Sequence, residues 1–196
     1  MVADYLISIY LRSDAGIYVN LFVPSEVRWE IEGKPVRLVQ STSYPETEST
    51  EFRVEVPSPT EFTVNVRMPG WLESPASIKV NGNDAAVPTE RGAFAAIHRV
   101  WRNHDTLEVD LPFSIRVLPV DNHHPNTVAL MRGPLFLVGL GPQVKLDRNA
   151  LRSPQALRAV PHARQTYELA ASPPTLRFVP FYCVDSQNYT SYHELA

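Results

Sequence analysis

Asp121, His123 and His124 lie within four residues of one another, and these side-chain types are ligands for zinc and other divalent cations. Adjacent histidines on a strand point to opposite faces, so His123 and His124 do not converge on one ion. A metal site needs three or four convergent ligands, and Asp121-Asn122-His123-His124-Pro125 reads as a polar turn. Carboxylates recur in close pairs: Asp105 with Asp110, Glu46 with Glu48, and Glu108 with Asp110. Two carboxyl groups across a scissile bond hydrolyse glycosides, but the acid needs an apolar pocket to stay protonated. No such pocket is visible around any pair, so they read as solvated charge. Tryptophan rings pack against the apolar faces of sugars. Trp29 is in phase with Val27 and Ile31 and belongs to a core. Trp71, after Pro69-Gly70, and Trp101, beside a turn, are the carbohydrate-contact candidates, each also readable as packing.

Cys183 is the only cysteine, which rules out an intrachain disulfide and a cysteine zinc site. A cysteine nucleophile needs a lowered pKa and a neighbouring base. His193 is ten residues on, so Cys183 reads as a small buried residue in Phe181-Tyr182-Cys183-Val184. No Ser-His-Asp pattern, P-loop or dinucleotide glycine motif is present. The residues therefore nominate no catalytic residue and no metal ligand.

Bulk properties narrow the class further. The chain has 196 residues, is 44% hydrophobic and 20% charged, and carries a net charge of −3. That is ordinary for a soluble globular protein and argues against nucleic acid, which calls for a basic patch. No apolar run approaches the ~20 residues of a membrane span. Met1 to Leu11 carries Asp4 and no early Lys or Arg, so it does not read as a signal peptide. The expected location is that of a soluble protein, cytoplasmic or cut from a longer one. Asn188-Tyr189-Thr190 matches a glycosylation sequon, a motif short enough to recur by chance.

The elements that would position these residues are short strands. Phe62, Val64, Val66 and Met68 alternate with Thr63, Asn65 and Arg67, the period of a half-buried strand. Hairpins are expected at Leu6–Arg12 with Ile17–Val23, and at Ile78-Lys79-Val80-Asn81-Gly82-Asn83, where Asn-Gly suits a type I′ turn. Further strands are expected over Val27–Ile31, Val36–Gln40, Phe52–Val56, Ala93–Arg99, Leu107–Leu111, Ile115–Val120, Thr127–Met131, Leu135–Leu140 and Leu176–Val184. Eighteen prolines punctuate them. Residues 141–174 alternate little and read as mostly irregular, with a short helix over Leu151–Ala159. The pattern predicts an all-β, antiparallel, jelly-roll-like sandwich. It is read as a single domain over 1–196, or as a main sandwich over 1–140 followed by an irregular segment and a returning strand over 141–196.

Five motifs resemble one family in chain order. Gly16-Ile17-Tyr18-Val19-Asn20-Leu21-Phe22-Val23-Pro24-Ser25 resembles the strand that leaves the catalytic barrel in glycoside hydrolase family 127, the β-L-arabinofuranosidase-like proteins. Arg67-Met68-Pro69-Gly70-Trp71 with Ile78-Lys79-Val80-Asn81-Gly82 is similar to that family's sandwich. So is Trp101 with Asp105 and Leu107–Pro112. Val128-Ala129-Leu130-Met131-Arg132-Gly133-Pro134-Leu135 is the most specific piece. Arg177-Phe178-Val179-Pro180-Phe181-Tyr182, with Tyr189-Thr190, resembles the C-terminal strand.

The resemblance implies the β-sandwich region that follows an (α/α)6 barrel. It also implies that the cysteine nucleophile and its cysteine- and glutamate-liganded zinc lie in that barrel. Cys183 is not in the catalytic position, and no catalytic or zinc residue of the family maps onto this sequence. The expected role is non-catalytic: an accessory module of a hydrolase acting on arabinose-containing plant glycans. Its expected partner is the barrel, as a domain or a separate chain, with glycan contact and self-association through a barrel-facing surface as further expectations. A free-standing carbohydrate-binding module is the alternative, and an independent hydrolase a third.

Overall fold

The computed structural model describes residues 7–141, 143–151, 156–169 and 176–196. The chain divides into two compact units, Met1–Pro112 and Phe113–Ala196. The boundary falls before the strands that the sequence groups with the main sandwich up to residue 140.

Among its described residues the first unit holds ten strands: β1 (Tyr10–Ser13), β2 (Gly16–Val19), β3 (Ser25–Ile31), β4 (Lys34–Thr42), β5 (Ser49–Glu55), β6 (Thr60–Arg67), β7 (Ser77–Val80), β8 (Asn83–Asp84), β9 (Phe94–Trp101) and β10 (Thr106–Asp110). One sheet has the order β1-β2-β6-β9 and the other β3-β4-β5-β10-β7-β8. The apolar phase of each strand decides which face turns inward. Phe62, Val64, Val66 and Met68 from the first sheet are all buried, as are Trp29, Ile31, Phe52, Val54, Leu107 and Val109 from the second. They form one apolar cluster, so the two sheets face each other across a shared core, as sandwich packing requires. The Asn-Gly hairpin forms as its chemistry demands: Asn81 (φ 51°) and Gly82 (φ 76°) are both left-handed between β7 and β8.

The all-β, largely antiparallel architecture expected from the sequence is present, with a parallel pairing at β2. This strand runs antiparallel to β1 but parallel to β6, with Gly16 opposite Thr63 and Val19 opposite Val66. The parallel alignment also explains Asn65, expected to face outward but buried, where its Nδ2 donates to the Ile17 carbonyl at 3.3 Å. Glycine is required at position 16, because a Cβ there would lie 2.0 Å from the Thr63 carbonyl oxygen.

The second unit contains β11 (Ile115–Pro119), β12 (Thr127–Arg132), β13 (Leu135–Leu140), the short helix α1 (Arg148–Leu151), β14 (Leu157–Ala159), β15 (Tyr167–Leu169), β16 (Arg177–Pro180), β17 (Tyr189–Thr190) and β18 (His193–Glu194). Its sheet runs β11-β12-β13-β16-β15-β14, with β17 on β13 and β18 on β12. Leu130, Leu135, Leu137, Leu146, Leu169 and Phe178 build its core. Of the helix expected over Leu151–Ala159, Leu151 belongs to the helix Arg148–Leu151 and Leu157–Ala159 is a strand; residues 152–155 lie outside the described residues. The strand expected to reach Val184 stops at Pro180, whose fixed ring precedes a 3-10 turn at Phe181–Cys183. The His123-His124 segment is an exposed turn, as its polarity indicates. Among the described residues, no helix is long and apolar enough to cross a membrane.

Candidate functional site

In the first unit β3, β4 and β5 lie side by side, which sets Arg37 directly opposite Glu55. Arg37 Nη1 donates to Glu55 Oε2 at 2.6 Å, and the same guanidinium also donates to Glu26. Beside this ladder a groove of about 640 Å³ is lined by Trp29, Val36, Arg37, Glu55, Pro57 and Asn103. Hydrogen bonding to Arg37 holds both the Glu26 and Glu55 carboxyls below the usual carboxylate range. A glycosidase acid needs the opposite shift, from desolvation. The groove lining carries two arginines, Arg28 and Arg37, and two glutamates, Glu30 and Glu55, a charged surface that suits polar recognition and not proton donation.

The carboxylate pairs of the sequence have separate duties. Asp105 is buried, and both its oxygens are engaged. Oδ1 accepts from Asn81 Nδ2 at 2.9 Å, and Oδ2 from the Arg102 backbone N–H at 2.9 Å. Asn81 Oδ1 in turn accepts from the Thr106 N–H at 2.8 Å. Asp105 thus latches the β7–β8 hairpin to the turn entering β10. Asp110 accepts from Ser77 Oγ at 3.2 Å on the surface. Glu108 sits between Lys79 and Glu51 on the neighbouring strands. Glu46 and Glu48 are half-buried in the loop between β4 and β5.

Asp121 Oδ1 accepts from the backbone N–H of His123 and of His124, both at 2.7 Å, and meets His124 Nδ1 at 2.9 Å. The bond to His124 holds the Asp121 carboxyl below its usual range. This geometry closes a turn and exhausts the carboxylate. Cys183 is half-buried in the 3-10 turn. Among the described residues, no three His, Cys, Asp or Glu side chains gather as metal ligands.

The two tryptophan candidates part company. Trp101 is 0% exposed. Its ring stacks on Phe62 at 5.8 Å, its other neighbour is the Arg99 guanidinium at 5.1 Å, and Nε1 donates to the Phe62 carbonyl at 3.0 Å. No face is left for a ligand. Trp71 is half-buried in the loop after β6 and packs on the core edge, held by a hydrogen bond with the Tyr44 side chain. Burial pushes the Tyr44 hydroxyl up to about 12, so it stays a neutral hydrogen-bonding group at physiological pH.

In the second unit Arg132 lies between two rings, 5.1 Å from Phe113 and 5.2 Å from Tyr167. Next to it a Cβ on Gly133 would meet the Phe113 ring at 2.6 Å. The Met131-Arg132-Gly133 motif is thus a packing device. The same unit carries an exposed aromatic group, Phe181, Tyr182, Tyr189 and Tyr192, that a search for polar chemistry passes over. Its only sequence signal is the aromatic density between residues 178 and 192.

Comparisons with known proteins were made against this geometry. The family model described as beta-L-arabinofuranosidase, GH127 middle domain, matches residues 16–113, closely the first compact unit. No curated protein matches the chain. Among solved structures, a GH127 β-L-arabinofuranosidase from Geobacillus stearothermophilus T6 superposes with a TM-score of 0.77 at 22% identity, over 100% of this chain and 36% of that one. A glycoside hydrolase gives 0.75 at 19% identity, over 96% and 37%. A GH127 β-arabinofuranosidase gives 0.70 at 18% identity, over 96% and 36%. The chain thus spans about a third of the length of these structures, and the likeness is one of fold.

Proposed function

The chain belongs to the GH127 middle-domain family of the β-L-arabinofuranosidases, and on that footing we propose that it is a non-catalytic β module bracing the catalytic barrel of a glycoside hydrolase acting on arabinose-containing plant glycans. One observation carries the reading: the residues by which the sequence resembles the family are consumed in holding the fold. Trp101 fills the core, Asn81 and Asp105 latch two turns, and Arg132 is clamped between rings. None is left with a free reactive group facing a groove. A nucleophile and its zinc belong, on this reading, to the barrel.

The test is reconstitution. The barrel of the parent hydrolase is expressed without this module, and hydrolysis of an aryl β-L-arabinofuranoside is assayed for each part and for the mixture. Activity is expected to rise at least tenfold on mixing. Hydrolysis by this chain alone would refute the non-catalytic reading.

A second reading, a carbohydrate-binding module, is favoured only by Trp71, whose partly exposed ring is fixed by Tyr44. On that reading Trp71→Ala lowers affinity for arabino-oligosaccharides at least tenfold while the melting curve holds. Unchanged affinity, or no glycan binding by the parent chain, removes it.

A further inference from the structure

The second unit keeps its own core on one side of the sheet and leaves aromatic rings on its surface. Phe136 projects from β13 on the face opposite Leu135 and Leu137, because neighbouring strand residues alternate. The 3-10 turn after β16 brings Phe181 to 6.3 Å from Phe136. β17, paired with β13, sets Tyr189 at 5.8 Å from Phe181. The residue before β18, Tyr192, closes on Phe136 at 6.2 Å. Phe181 is 51%, Tyr182 52%, Tyr189 43% and Tyr192 48% exposed. None of these belongs to the unit's own core cluster. Four half-exposed aromatic residues amount to roughly 400 Å² of largely apolar surface, the size at which a surface patch marks an interaction site.

The geometry favours a protein surface over a sugar. Stacking on a pyranose or furanose needs a ring face presented flat. Here the rings lean on one another at 37°, 39° and 66°, and the central pair, Phe136 and Phe181, carries no hydrogen-bonding group. The comparisons supply the occupant: in the solved relatives this fold is 36–37% of a longer chain. A module built into such a chain carries a covered face, which is where exposed aromatics are stable.

We propose that Phe136, Phe181, Tyr182, Tyr189 and Tyr192 form the seat of a second domain of the same GH127 protein. The inference rests on the bracing role above and names the surface that performs it. The test titrates the whole chain with the remainder of its GH127 protein, expressed without this module, and follows binding by calorimetry. F181S/Y192S is expected to weaken association at least tenfold, the loss typical of central aromatic anchors. Val100→Ser, at an exposed valine on β9, is expected to leave affinity unchanged. Tyr189 and Tyr192 are expected to be protected from oxidative footprinting on binding.

If F181S/Y192S binds as tightly as the parent, with the fold intact by circular dichroism, the patch assignment is wrong and the bracing role stands. If the parent chain does not associate at all, both fail. A concentration-dependent dimer of the chain alone that F181S/Y192S abolishes would hand the patch to a second copy and overturn the proposal. So would glycan binding that the double variant alone removes.

Discussion

The first unit closes a core between two sheets, and the second packs its core on a single sheet. Among the described residues, 24 side chains form the core cluster of the first unit and 12 that of the second, so the sandwich closes over its apolar strands more completely than the single sheet. Buried polar groups do not divide in the same way, since Trp29 Nε1 in the first unit and Arg116 Nε in the second both lack a hydrogen-bond partner. Trp101 Nε1, Asn65, Asn81 and Asp105 are buried or half-buried in the first unit and each has its partner. In the second unit His193 is buried at 2% exposure with the Phe178 ring edge-on at 5.4 Å, and four aromatics are about half exposed. The contrast teaches that one architecture can divide labour: a scaffold closed around a core between two sheets, and a single sheet that leaves aromatic rings half exposed on its surface.

The comparison breaks first, and hardest, at Trp101. Trp101→Ala removes a fully buried ring and its hydrogen bond and is expected to destabilise by about 4 kcal/mol in urea unfolding. A change below ~1 kcal/mol would mean the first unit is not the tightly packed scaffold described. Gly16→Ala pushes a methyl into the Thr63 backbone, and a loss of about 2–3 kcal/mol is expected in the same assay. A neutral result would show that the parallel β2–β6 pairing can open without consequence. Asp105→Ala strands Asn81 and the Arg102 N–H, and a loss of about 2 kcal/mol is expected.

His193 sharpens the contrast from the other side. Burial lowers its pKa from the ordinary 6.5, so the folded state prefers the neutral ring. The group's stabilisation is fully present above pH 6.5 and is lost as pH falls toward and through the folded value. Melting temperature is expected to drop as pH falls below 6.5, and His193→Leu should flatten that slope. An equal slope in the variant would remove His193 as its source. Smallest of all is Phe181→Ser, expected to change stability by less than about 0.5 kcal/mol; a larger loss would show that the patch belongs to the unit's own core.

Much of the scaffold is legible before any coordinates. The alternation from Phe62 to Met68 names β6 and its buried face, and Asn81-Gly82 names its turn through two left-handed residues. The parallel neighbour of β6 is not legible, because the information sits in one glycine whose missing Cβ matters only once Thr63 is beside it. Trp101 is a subtler case. Nearness to a turn points it outward, yet counting by twos through Ala95 and Ile97 places it inward, and phase wins. The strands β14 and β15 have three residues each, too few to display a period. Asp105 and the Asp121-His124 group draw the eye by chemistry and turn out to close turns. The aromatic patch escapes, since the alternation of a strand does not reveal whether its second face is covered.

The parallel seam of β2 and β6 sets a timetable as well as a shape. Gly16 pairs with Thr63, so during synthesis the first hairpin leaves the ribosome 47 residues (63 − 16) before its neighbour arrives. At ~5–20 residues per second, that is an interval of roughly two to ten seconds in which a strand edge carrying Ile17 and Val19 has nothing alongside it. Nascent-chain chaperones that cover short apolar segments would find their task in that interval, and slower elongation between residues 20 and 60 would lengthen it.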